Sequence, residues 1–373
     1  MSENQNCSKG RAEEPICTNR RTLSRRSFLS LMAATGVAAA GTAMLGGCSS
    51  PSDGGVAEPE SEAASNRPET VTDAKDREVT VPEKIERIGT TAMGGATQTI
   101  CCFGGADRLV FGPDMQKSAP MLLKMFPQIA ETPNAGTFDD INIETIAAAE
   151  PDFVLVSSTS DKGNEQIEDL GIPTYVMPTA NASVDNLRRD YLNISILLDN
   201  MELGEKYVEY WDSIMDYVTE ASSSIKEDEK LRVYRCGAAI TEVSHTPWAC
   251  NWITAVGGVP VAEAGTTGDA SLEQVALWDP DVISTSADVE TILNDPTLQD
   301  LKAVKNKAVY KSPKGAMGWD APSPEVPLGF AWLAQVLYPD VLADIDLKAK
   351  TKELYSEFYG YDLSDEEYEG FFA

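Results

Sequence analysis

Between Ser183 and Lys230 the chain carries no proline and a single glycine, Gly204. Its apolar residues fall at helical spacing: Val184, Leu187, Tyr191, Ile194 and Leu198, then Tyr207, Trp211, Ile214 and Val218. This run constrains the fold most, because it reads as a helical connector spanning 183–230, with a break or bend expected at Leu198-Asp199-Asn200. On either side the pattern changes to short apolar strands alternating with helices. Ile143-Glu144-Thr145-Ile146, then Pro151-Asp152-Phe153-Val154, precedes the connector. Leu272-Glu273-Gln274-Val275, then Pro280-Asp281-Val282-Ile283, follows it. Each reads as a helix, a Pro-Asp pair and a buried strand. The correspondence predicts an α/β protein of two similar lobes, 74–182 and 231–373, with parallel-rich sheets covered on both faces and helices closing the second lobe.

The amino-terminal region is of a different kind. Ser24-Arg25-Arg26-Ser27-Phe28-Leu29 leads into an apolar stretch ending Met44-Leu45-Gly46-Gly47-Cys48. Paired arginines, a short apolar core and small residues predict an export signal over 1–47 that resembles the Tat type. The apolar core is too short and too rich in small residues to span a membrane comfortably. Cys48 resembles the lipid-attachment cysteine of a bacterial lipoprotein, which places the remainder at the outer face of the cytoplasmic membrane. A plain secretory signal and an uncleaved anchor are the alternatives. Residues 48–73 are rich in Ser, Pro, Gly, Ala and Glu and read as a flexible tether.

The chain holds 59 acidic and 30 basic residues, a net charge of −29. Such a surface repels nucleic acid. Four cysteines follow Cys48. An exported protein can form disulfides, and a bridge between Cys236 and Cys250 is one option. Cys101 and Cys102 read as small buried hydrophobes.

Several signposts carry a resemblance to a known family. They are Asp76-Arg-Glu-Val-Thr-Val-Pro82, the two helix–Pro-Asp–strand segments, Gly257-Gly258-Val-Pro-Val-Ala262, and Gly315-Ala-Met-Gly-Trp-Asp-Ala-Pro-Ser-Pro-Glu325. In this order, behind a lipoprotein signal, they resemble the substrate-binding lipoproteins of ABC importers for ferric siderophores, haem and cobalamin. These are the helical-backbone, class III periplasmic binding proteins. The resemblance implies two Rossmann-like lobes joined by one long rigid connector helix, with the ligand held between them. It also implies a permease and an ATPase as partners, a monomer, no intrinsic cofactor and no catalysis.

The resemblance points to cleft loops as the ligand contacts. In the first lobe these are Thr91, Met93 and Gly94, with Phe138 as an aromatic contact. In the second, the segment around His245, Trp248 and Asn251 and the late loop with Met317 and Trp319 are the candidates. His245, the chain's one histidine, suits a metal or a capping role. Met93 and Met317 invite haem ligation, with ordinary apolar contact as the plainer reading. These loops contain no arginine, and the nearest basic residues are Lys314 and Lys117. That favours a bulky neutral or mixed ligand such as a corrinoid, a haem-like ring or a neutral siderophore. Molybdate or tungstate, held by backbone N–H groups, is the alternative. Glu144 and Glu273 occupy matching places in the two lobes, and in cobalamin-type binders such glutamates dock on permease arginines. A surface metal-dependent enzyme is the competing class, but no nucleophile–base pair or dinucleotide motif supports it.

Overall fold

The computed structural model describes residues 67–373, apart from 180, 342 and 343. The export signal expected over 1–47 and the lipid-attachment site expected at Cys48 lie outside the described residues.

The described chain opens with a hairpin, β1 (Thr70–Thr72) and β2 (Glu78–Thr80), paired antiparallel. The tether expected over 48–73 therefore ends earlier. A polar network holds this stretch: the buried Asp73 carboxylate accepts the backbone N–H groups of Lys75 and Arg77 and the Arg77 guanidinium, which also reaches Glu168. Arg67 donates to the carbonyls of Ile196 and Leu197. Composition misses such anchoring because it uses hydrogen bonds instead of apolar bulk.

The first lobe continues with β3 (Ile88–Thr90), α1 (Ala96–Cys102), β4 (Leu109–Phe111), α2 (Pro120–Met125), the short pair β5 (Gly136–Thr137) and β6 (Asp140–Ile141), α3 (Ile143–Ala148), β7 (Phe153–Ser157), α4 (Asp161–Glu168) and β8 (Thr174–Met177). Its main sheet is parallel, in the order β4-β3-β7-β8. Every residue of β7 is buried. Strand alternation sends Val154 and Val156 to one core with Ile146 and Ile167, and Phe153 and Leu155 to another with Ile88 and Tyr175.

The connector is two helices, α5 (Val184–Leu197) and α6 (Met201–Ser223), broken where Asp199 turns left-handed at φ 56°. A capping box between Ser183 and Asn186 starts α5. Gly204 has a packing reason: a Cβ there would lie 1.8 Å from Ser195 Oγ, so only glycine lets α6 cross α5 this closely. Tyr207 and Trp211 of α6 pack with Tyr191, Phe103 and Phe358, fixing the connector in the main core.

The second lobe comprises β9 (Arg232–Cys236), β10 (Glu242–His245), α7 (Pro247–Ala255), β11 (Val259–Pro260), β12 (Thr266–Asp269), α8 (Leu272–Trp278), β13 (Val282–Thr285), α9 (Val289–Leu293), α10 (Lys302–Lys305) and β14 (Val309–Lys311). Three helices complete it: α11 (Val326–Leu337), α12 (Leu347–Phe358) and α13 (Asp365–Gly370). The sheet runs β12-β10-β9-β13-β14, with β11 also on β9. β9, β11, β13 and β14 are parallel, whereas β10 runs antiparallel to both its neighbours, β9 and β12.

The repeated Pro-Asp pair has a shared structural role. In the first lobe, Asp152 accepts the N–H groups of Glu86 and Arg87, at 2.8 Å each, and donates its own N–H to Arg87 O. In the second, Asp281 accepts Arg232 N–H at 2.9 Å and donates to Arg232 O. Each aspartate thus sets where the neighbouring central strand, β3 or β9, begins. Cys101, Cys102, Cys236 and Cys250 are all free and buried, so the Cys236–Cys250 bridge considered from sequence is not formed.

Candidate functional site

A cavity of about 420 Å³ lies between the lobes. It sits beyond the carboxyl ends of β3, β4, β9, β13 and β14, where a parallel sheet leaves loop backbone and helix starts available to a ligand. The first lobe contributes Ala92–Gln98 and the turn around Met115–Ala119; the second contributes Arg235, Ser286 and the loop from Lys314 to Ala321.

The β3–α1 loop is built on glycines. Gly94 and Gly95 both have positive φ, 79° and 96°. A Cβ on Gly95 would stand 2.7 Å from Pro322 O, so this loop can meet the second lobe's late loop only as glycine. Gln98 crosses the cleft: its Nε2 donates to Ala316 O at 3.0 Å and approaches Met317 Sδ. Beside it, Thr97 Oγ1 donates to Gln116 Oε1, and the buried Gln116 Nε2 has no acceptor among the described residues.

Arg235, near the end of β9, is the half-buried cation of the cleft. Its Nε and Nη2 both donate to Asp320 Oδ2, at 3.1 and 2.5 Å, and Nη1 reaches Ser244. Both partners are 18% exposed. Lys314 adds a second positive charge at the rim. The late loop is held from below by Glu325, whose buried carboxyl accepts Ala316 N–H and Met317 N–H at 3.0 Å each, plus the Tyr355 hydroxyl. Burial raises its pKa to about 7, against the pull of these three hydrogen bonds.

The sequence candidates separate into three groups. Met93, Gly94 and Met317 line the main cavity. Trp248 borders a smaller adjoining one of about 220 Å³ with Met93 and Arg235, and its indole N–H donates to Asp320 O at 2.7 Å. The remaining candidates lie elsewhere. Thr91 is buried one residue short of the cavity, its N–H bonded to Leu155 O. Phe138 is 39% exposed in the β5–β6 turn, with its carbonyl against Gly163. Asn251 is exposed on α7. Trp319 is fully buried, edge-on to Phe371 and Phe372, so this aromatic fastens the α13 end of the chain instead of facing ligand. His245 is likewise fully buried in β10, where Nε2 accepts Arg235 N–H at 3.1 Å and the ring stacks on Tyr234. Burial, reinforced by the Arg235 charge, lowers its pKa to about 4 and keeps it neutral. Among the described residues no group of three or more His, Cys, Asp or Glu is placed to hold a metal.

Glu144 and Glu273 are exposed in the first turns of α3 and α8, capped by Asn142 and Ser271 respectively. The expectation of a cleft without arginine does not hold, because Arg235 lines it. Its signal was present: a charged residue at the carboxyl end of an apolar parallel strand, Leu231-Arg-Val-Tyr-Arg-Cys236. Gln98, Gln116, Asp320 and Glu325 carried no comparable pattern.

The "Molybdate-binding protein MolA" of Haemophilus influenzae is 25% identical over 318 residues, covering 78% of this chain and 90% of the relative. The "Fe(3+)-citrate-binding protein YfmC" of Bacillus subtilis is 25% identical over 198 residues, covering 51% of this chain and 62% of the relative. An ABC transporter solute-binding protein from Sulfurospirillum deleyianum superposes with a TM-score of 0.71 at 23% identity, over 82% of this chain and 99% of that one. Among the described residues no helix is long and apolar enough to cross a membrane. The periplasmic binding protein family matches residues 92–316, and the chain belongs to it.

Proposed function

We propose that this protein captures an anionic metal complex outside the cytoplasmic membrane and delivers it to its permease. The carrying observation is the half-buried Arg235 guanidinium, with Lys314, lining the interlobe cavity of a chain whose net charge is −29. A cation retained in a cleft against that background suits a ligand that brings negative charge. The names of the two relatives agree: one specifies molybdate, the other a ferric complex of citrate. Cavity size favours a chelate over a bare oxyanion. At about 30 Å³ per water, 420 Å³ corresponds to about 14 waters, far more than one tetrahedral ion displaces. Among metal chelates, the charge favours carboxylate or other anionic iron complexes over a neutral corrinoid. Haem fits less well, since the one histidine is buried in β10. Molybdate is the second reading, supported by the longer alignment to MolA.

In this reading the export signal and a lipid on Cys48 keep the protein close to the permease, as a monomer. Glu144 and Glu273, one exposed glutamate per lobe, dock on permease cations. The test is a titration of the purified protein, followed by intrinsic tryptophan fluorescence, with ferric citrate, molybdate, haem and cobalamin. Saturable binding of ferric citrate, with cobalamin ignored, supports the proposal. Binding of cobalamin alone overturns it.

A further inference from the structure

A second cavity of about 500 Å³ adjoins the cleft and shares Ser118 and Lys314 with it. Its walls come from three places: Met121 and Lys124 of α2, Lys311 and Lys314 at and beyond the end of β14, and Glu367 and Phe371 at the α13 end of the chain. The charges along the two cavities invert the character of the chain. Among the side chains lining the two cavities, four are cations, Lys124, Arg235, Lys311 and Lys314, and two are carboxylates, Asp320 and Glu367, whereas the whole sequence has 59 acidic residues to 30 basic. Asp320 is paired with Arg235 in the cleft, and Glu367 with Lys124 in the second chamber. Lys311 Nζ donates to Ala373 O at 2.7 Å. Lys314, at the junction, makes no ion pair among the described residues.

We propose that the two chambers form one site for an elongated polyanion. One acidic group is held at Arg235 in the cleft, a second at Lys314, and a third in the chamber between Lys124 and Lys311. Cations distributed over two adjoining chambers suit a chelate with several carboxylate-type arms better than a compact ion. Met121 and Phe371 supply apolar contact along the arm in the second chamber. Glu367 then opposes the ligand, because it already occupies the Lys124 charge. This inference rests on the anionic reading of the cleft.

Isothermal titration of the full exported chain with ferric citrate and with molybdate tests it, using the double variant Lys124→Gln/Lys311→Gln and the single variant Glu367→Gln. Melting temperatures check that each variant folds. The expected result is a loss of about tenfold in ferric citrate affinity for the lysine variant and a gain of several-fold for Glu367→Gln, with molybdate binding unchanged in both. The opposite signs exclude general damage to the fold. Ferric citrate binding that is indifferent to all these changes overturns the two-chamber site and leaves the anionic cleft standing. Binding of molybdate alone does the same. Binding of neither overturns both.

Discussion

The Tyr355 hydroxyl donates to the carboxyl of Glu325, 30 residues away in sequence, and both are fully buried beneath the ligand cleft. Through Ala316 N–H and Met317 N–H the same carboxyl holds the loop that receives Gln98 from the opposite lobe. The groups packed around Glu325 are Tyr207, Tyr210, Tyr355, Tyr359 and Cys102, all kept neutral by burial. Among the described residues no cation pairs with it.

That arrangement makes stability depend on pH. The folded-state pKa of Glu325, about 7, lies above its ordinary value of 4.5, so the folded protein binds more protons between those limits. The stability contribution of this group is present below pH 4.5 and is lost as pH rises through 7. Glu325→Gln removes the titration. Urea denaturation from pH 4.5 to 8 is expected to show wild type losing up to about 3 kcal/mol relative to the variant across this range. Parallel curves would contradict the assignment.

Buried thiols predict resistance to modification. Burial pushes Cys236 up to about 11 and raises Cys101, Cys102 and Cys250 as well. Alkylation followed by mass spectrometry is expected to leave these four unmodified in the folded protein and to modify all four after unfolding, with or without prior reduction. A requirement for reductant would indicate a bridge.

The two Pro-Asp aspartates are expected to act alike. Asp152→Ala and Asp281→Ala each strip acceptors from backbone N–H groups at the start of a central strand. Each should cost about 1–3 kcal/mol of unfolding free energy, measured by chemical denaturation.

Docking is separable from binding. Glu144→Lys combined with Glu273→Lys is expected to abolish uptake of labelled ferric citrate in cells while leaving its affinity in solution unchanged. Leu272 and Leu277 stand exposed on the same helix as Glu273, at 37% and 77%, and suit an apolar partner surface beside the charge. Normal uptake by the doubly reversed protein would remove these glutamates from the interface.

Much of this fold was legible in the sequence for stated physical reasons. A parallel strand covered on both faces must be apolar throughout, and Phe153–Ser157 is buried at every position. A connector must avoid helix breakers, and its one glycine, Gly204, sits where α6 crosses Ser195. The site was less legible. Residue type suggests chemistry, but burial decides who performs it. Trp319 resembles a pocket aromatic until Phe371 and Phe372 enclose it, and those contacts come from a segment more than 50 residues away. His245 looks like a ligand until its ring accepts the N–H of Arg235. Conversely, Arg235 passes for a strand-end charge until the loop carrying Asp320 folds across it. Local sequence cannot report such long-range enclosure.

The central claim is that Arg235 makes the cleft an anion site. The most direct measurement is calorimetric titration of ferric citrate into wild type, Arg235→Met and Asp320→Asn. The account predicts a loss of at least about tenfold in affinity for Arg235→Met and a gain for Asp320→Asn, which frees the guanidinium from its internal carboxylate. Equal affinity in all three proteins would contradict it.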